Sequence, residues 1–159
     1  MNNRYPYLPE GREIKYVSIS VPYMLQTKTF ALENSTDSKQ PTGAIVVKDG
    51  KVIGRGANQS ILRNRFLLNL HNKLCIRKML RVKSGTKYWM CPGCASSDMH
   101  SEVRAINDAI GNGFDTRGAD LYHWGHWWCC KPCWDMMIKS GIKDVYLVDD
   151  AEELFKKLK

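Results

Sequence analysis

The 159-residue chain has no apolar run near the roughly 20 residues that cross a bilayer, so no helical membrane span is expected. Its opening residues, Met1-Asn2-Asn3-Arg4-Tyr5-Pro6-Tyr7, lack the apolar core of a secretory signal, which points to a protein kept in the cytoplasm. No segment repeats along the chain, so a solenoid or array is not expected either. What is there is an ordinary globular composition, 43% hydrophobic and 25% charged, in a length that suits one domain with one core.

Acidic residues are in the minority: 16 against 24 basic ones leave a formal net charge of +8. The excess suits an anionic ligand such as a nucleotide phosphate, or nucleic acid, although basic surfaces also serve solubility alone. Six cysteines are present, Cys75, Cys91, Cys94, Cys129, Cys130 and Cys133. In a reducing compartment, Cys-x-x-Cys spacing reads as a metal or redox site before a disulfide.

Residues 1–20, with Tyr5-Pro6-Tyr7-Leu8-Pro9, read as an extended N-terminal arm, and 21–159 as a single domain. A helix is expected from Pro22 to Glu33, then a hairpin in which Ala44-Ile45-Val46-Val47 and Val52-Ile53 flank a turn at Asp49-Gly50. The second strand runs into Gly54-Arg55-Gly56-Ala57-Asn58, whose glycines permit a sharp turn or a ligand at the backbone. A basic, Cys-containing insert at about 60–98 follows, with Leu62, Phe66, Leu70, Leu74 and Met79 near helical spacing. Beyond it come a helix from about Asp98 to Ile110, a strand at Asp120–Trp124, a helix from Pro132 to Ser140, a strand at Val145–Val148 and a last helix from Ala151. This order calls for a three-layer α/β/α sandwich around a mixed sheet of four or five strands.

On the helix after the insert, Met99, Val103, Ile106 and Ile110 form a stripe for the core. At about 100° per residue, His100 and Glu102 fall on its two shoulders, at the rim of the buried face. Taken alone, His-x-Glu also describes a surface helix start with a glutamate complementing the dipole. Cys130-Lys131-Pro132-Cys133 opens the next helix, where the N-terminus favours the thiolates that zinc needs. Two thiolates and an imidazole leave a fourth position for water, and Glu102 is then free to carry protons. Two other readings stand beside this one. Cys130 and Cys133 form a redox pair, or they join His100 and His123 or His126 in a purely structural Cys₂His₂ zinc site.

Thr42-Gly43-Ala44-Ile45-Val46-Val47, Gly54 to Asn58, His100-Ser101-Glu102-Val103-Arg104-Ala105-Ile106 and Cys133 to Ile142 together resemble the zinc-dependent cytidine/deoxycytidylate deaminase family. The insert, with its own Cys-x-x-Cys, is most similar to the deoxycytidylate (dCMP) branch. The resemblance implies His100, Cys130 and Cys133 as ligands of a catalytic Zn²⁺, with Glu102 as general acid and base. It implies Asn58 and the backbone N–H of Ser101 as substrate contacts, and a homo-oligomer. The reaction implied is hydrolytic conversion of dCMP to dUMP and ammonia. The alternatives are deamination of cytosine or adenine in single-stranded nucleic acid or tRNA, and a zinc-stabilised binding module without turnover.

This chain departs from the family pattern at three points. Cys129 stands where the family has proline, Trp128 stands where glutamate is common, and the segment Tyr122 to Trp128 is about two residues longer. Cys129 therefore competes with Cys130 as a ligand. Trp124, Trp127 and Trp128 serve either as base-stacking walls or as core and interface anchors. His71, Cys75, Cys91 and Cys94 can hold a second, structural zinc, with His71 and Cys75 one turn apart on a helix, or else remain reduced thiols. Arg4, Arg12, Lys15, Arg63 and Arg65 are candidates for a substrate phosphate.

Overall fold

The computed structural model describes residues 6–83, 86–94 and 96–156. Arg4 and Ser84-Gly85 lie outside these. Eleven elements of the described chain organise the fold: β1 (Ile14–Val17), α1 (Pro22–Asn34), β2 (Gly43–Lys48), β3 (Lys51–Ala57), α2 (Arg65–Lys73), α3 (Ile76–Met79), α4 (Ser101–Gly111), β4 (Asp120–Trp124), α5 (Lys131–Lys139), β5 (Val145–Val148) and α6 (Ala151–Lys156). Short 3₁₀ turns at Tyr88–Met90 and Ser97–Met99 complete the insert.

The strands form one mixed sheet in the order β1-β5-β4-β2-β3. β1, β5 and β4 run parallel, while β2 is antiparallel to both β4 and β3. The hairpin closes where the sequence places it. Asp49 and Gly50 take φ values of 51° and 74°, the two left-handed residues that match a tight turn to strand twist. Side chains alternate across the sheet, as the pleat requires. Ala44, Val46 and Leu121 face a core shared with α4 and α5, where Ile106, Trp134 and Met137 are buried. Ile45, Val47 and Tyr122 face the opposite core, with Met24 of α1 and Phe155 of α6. The three-layer expectation is met.

Three details differ from the sequence reading. The expected arm contributes β1, which pairs Ile14 with Val145 and Val17 with Val148 at the sheet edge. Gly54 and Gly56 lie within β3, not in a turn, and face α4. A Cβ at Gly54 would lie 2.2 Å from the Ala105 carbonyl oxygen, and one at Gly56 would lie 2.3 Å from that of Ser101. The glycines therefore let α4 lie flat on β3. That seating turns Ala105 and Ala109 inward beside Val103 and Ile106, while Ile110, expected in the stripe, is 48% exposed.

Candidate metal centre and the cavity around it

α4 and α5 begin close together, each preceded by a residue in extended conformation that caps it without a side-chain bond: His100 before α4 and Cys130 before α5. Their side chains are engaged with each other instead. His100 Nδ1 lies 3.4 Å from Sγ of Cys130 and 3.4 Å from Sγ of Cys133, and the two sulfurs are 3.2 Å apart. Pro132 takes the second position of α5, where its missing N–H costs no helical bond. Three soft donors at the corners of a small triangle, two of them at a helix N-terminus, fit a tetrahedral zinc ion with one open position.

The electrostatics favour a thiolate in this triangle. The Cys130 thiol is brought down to about 6, first by the bond with Cys133 and also by His100, against the effect of burial. Cys133 moves upward because it holds the proton that the pair shares. Burial disfavours the imidazolium of His100, but the bond and charge of Cys130 prevail and raise its pKa.

Glu102 is buried in the first turn of α4, and its carboxylate belongs to a second group, with His123 and Cys129. Burial pushes this carboxyl up, yet the facing His123 and His100 outweigh burial and hold it near 2. Ser101 Oγ donates to Glu102 Oε2 at 3.1 Å. His123 Nδ1 lies 3.0 Å from the Gly43 carbonyl oxygen, an acceptor, so Nδ1 carries a proton and Nε2 faces Glu102. His123 is thus spent on the carboxylate, and it does not complete a Cys₂His₂ set with Cys130 and Cys133. Cys129 likewise turns toward Glu102, and burial drives its thiol far above the ordinary range. The structure therefore places Cys130, not Cys129, beside His100.

A cavity of about 820 Å³ opens in front of these groups, with His100, Glu102, Cys130 and Asn58 in its wall. Asn58 Oδ1 accepts from the Thr42 N–H at 2.9 Å and from Ser35 Oγ, while its Nδ2 donates to the Gln40 carbonyl at 3.3 Å. The insert adds a basic stretch of wall, Arg77, Lys78, Arg81 and Lys83, of which Lys78 pairs with Asp37 at 3.4 Å. The phosphate candidates named from sequence that are among the described residues lie elsewhere. Arg12 donates to the Ile142 carbonyl at 2.7 Å, Lys15 pairs with Asp144 at 3.0 Å, and Arg63 and Arg65 are exposed outside the cavity wall. Of the tryptophans, Trp128 alone lines the cavity, whereas Trp124 packs edge-on against Phe155 and Trp127 against the core.

His71, Cys75, Cys91 and Cys94 also converge, with donor atoms all within 4.8 Å of one another. They do so differently from the expected single helix, because α2 ends at Lys73 and Cys75 caps α3. Gly93 makes room for this: a Cβ there would sit 2.2 Å from the His71 ring. Burial raises the Cys91 thiol, but the N–H groups of Gly93, Ile76 and Cys94 outweigh it and lower its pKa. Four mixed N and S donors with no water position suit a structural zinc. Tyr88, which contacts His100 Nε2 at 2.7 Å, and Arg77, stacked over Tyr88 at 4.2 Å, were not indicated by the sequence.

A family model described as the cytidine and deoxycytidylate deaminase zinc-binding region matches residues 19–149. The chain belongs to that family, whose region holds zinc. Among curated proteins it is 29% identical over 148 residues to ComE operon protein 2 of Bacillus subtilis (strain 168), covering 84% of this chain. It spans 64% of that relative's length. The dCMP deaminase of cyanophage S-TIM5, solved with dCMP and dUMP, is similar in fold over 86% of this chain and 88% of its own, with 19% identity and a TM-score of 0.50. A guanine deaminase from Bacillus subtilis covers 84% of this chain and 68% of its own, with 21% identity and a TM-score of 0.46.

Proposed function

We propose that this chain is a cytoplasmic hydrolase that deaminates a cytosine nucleotide, converting dCMP and water to dUMP and ammonia. The observation that carries the reading is a buried carboxylate, Glu102, beside the three-donor triangle in a cavity that the insert lines with basic side chains. Zinc held by His100, Cys130 and Cys133 would supply a Lewis acid that makes water a nucleophile near neutral pH.

Glu102, kept ionised by His123 and His100, takes the proton of the attacking water. It hands this proton to N3 of the pyrimidine as the water oxygen bonds to C4, then takes the proton of the new C4 hydroxyl and passes it to the amine, so that ammonia leaves as the C4–N4 bond breaks and the C4 carbonyl forms. The backbone N–H of Ser101, at the first position of α4, is free of helical bonding and is offered to the base. Asn58 uses one Nδ2 hydrogen on Gln40 and contributes the other to the substrate. Arg81 and Lys83 receive the phosphate.

A second zinc at His71, Cys75, Cys91 and Cys94 ties the insert together and so supports the basic wall. Self-association is proposed through the insert as well, since Phe66, Met79, Leu80 and Trp89 are all at least 60% exposed there. Incubation with dCMP, deoxycytidine and single-stranded DNA, followed by assay of uracil-containing product, tests the reading. Product from dCMP above deoxycytidine supports it. Product from the polynucleotide alone would replace it with a nucleic-acid deaminase.

A further inference from the structure

The two donor clusters are joined by a short chain of contacts through Arg77 and Tyr88. Tyr88 opens the 3₁₀ turn that leads into Cys91, and its carbonyl accepts the Cys91 N–H at 3.2 Å. Arg77 lies in α3, two residues after Cys75, which caps that helix and accepts the Met79 N–H at 3.0 Å. The Arg77 side chain is buried. Its Nη2 donates to the Lys83 carbonyl at 3.0 Å and to the Thr86 carbonyl at 2.7 Å, and its guanidinium lies near the Cys94 side chain.

The same guanidinium stacks on the Tyr88 ring at 4.2 Å, and that ring meets the His100 imidazole edge-on, with centroids 5.3 Å apart. The Tyr88 hydroxyl sits 2.7 Å from His100 Nε2. With Nδ1 turned to both sulfurs, the imidazole proton belongs on Nε2, and Tyr88 oxygen is its acceptor. One ring nitrogen faces the two sulfurs and the other is held by the insert.

We propose that Tyr88 is a positioning residue that fixes the tautomer and orientation of His100, and that a metal at His71, Cys75, Cys91 and Cys94 sets Tyr88 in place through Arg77. Filling the insert cluster therefore tightens metal binding at the His100 cluster. The inference rests on the reading that both clusters bind zinc, but not on which base is deaminated.

The test uses the full chain loaded with Zn²⁺, or with Co²⁺ as a spectroscopic stand-in, and measures metal affinity at the His100 cluster by chelator competition. Tyr88→Phe keeps the ring and its stack and removes only the acceptor. Affinity at the His100 cluster is expected to fall about ten-fold or more, the usual effect of losing an outer-shell partner. The cobalt absorption of that site shifts with it, while the insert cluster keeps its metal and the melting temperature holds. Cys91→Ser lowers the same affinity, and adding Tyr88→Phe to it costs little more, because both act through one contact. Arg77→Lys, which leaves every donor in place, serves if Cys91→Ser does not fold, and it reproduces the Tyr88→Phe effect. Unchanged affinity and spectrum in Tyr88→Phe, additive losses in the double variant, or an insert cluster that takes no metal would each overturn the proposal. Failure to deaminate dCMP leaves these readouts untouched.

Discussion

The Glu102 carboxylate and the His123 imidazole face each other at 3.8 Å, and neither side chain is more than 6% exposed. His123 is therefore the group that keeps a deeply buried carboxyl in its charged form. Replacing it, as in His123→Leu, leaves burial unopposed on that side, so the Glu102 pKa rises. In the proposed mechanism Glu102 acts first as a base, so the acid limb of the turnover profile should move to higher pH, by on the order of one unit. A pH–rate profile of the variant that keeps the parent's acid limb would remove His123 from this role.

Glu102→Ala separates proton transfer from metal binding. Zinc content should match the parent, because Glu102 is outside the His100, Cys130 and Cys133 triangle. Turnover should fall by about two to four orders of magnitude, the span typical of a lost general base. His100→Ala should instead lose the metal, as read by elemental analysis. Persistent turnover in Glu102→Ala would sink the mechanism, and would equally argue against a binding module being mistaken for an enzyme.

The gathering of His100, Cys130 and Cys133 beside Glu102 was legible because His-x-Glu at one helix start, followed by Cys-x-x-Cys at another, leaves few alternative arrangements. Helix-start spacing favoured Cys130 over Cys129 without excluding the latter, and the direction of each thiol, Cys130 toward His100 and Cys129 toward Glu102, separates the two. β1 was missed because Ile14–Val17 is four residues long and its partner strand is near the far end of the chain. The break between α2 and α3 carries no glycine or proline. It follows from Cys75 turning its sulfur to within 3.4 Å of Cys94. Tyr88 gave no signal because its contact with His100 depends on the path of an irregular loop.

Gly56→Ala tests how α4 is seated. The new Cβ would meet the Ser101 carbonyl oxygen at 2.3 Å and the Ala105 nitrogen at 2.4 Å, both backbone atoms that yield only if the helix moves. Urea denaturation should show a loss of about 1–3 kcal/mol, the range for overpacking. Turnover should fall too, since the displaced turn carries Ser101 and Glu102. A variant as stable and active as the parent would mean that the helix is not held this closely.

Gly93→Ala addresses the insert alone. Its Cβ would strike the His71 ring at 2.2 Å, so His71 leaves the cluster. Metal analysis should find the insert site lost or weakened while the His100 site still fills, though less tightly. Full metal at both sites would show that His71 is not a ligand.

Arg81 reaches the cavity from the basic wall. Arg81→Ala is expected to raise KM for dCMP about ten-fold, as loss of one charged hydrogen bond would, with kcat little changed. KM for deoxycytidine, which has no phosphate, should not move. An equal effect on both substrates would place the phosphate elsewhere.

Strand β1 has a consequence for how the molecule assembles. Its hydrogen bonds go to β5, and Arg12 reaches the Ile142 carbonyl across 130 positions of chain. Nothing local can hold such a strand, so it has a partner only where β5 is in place. One edge of the sheet is thus built from early residues that depend on late ones, and shortening the chain before β5 would leave β1 without a partner.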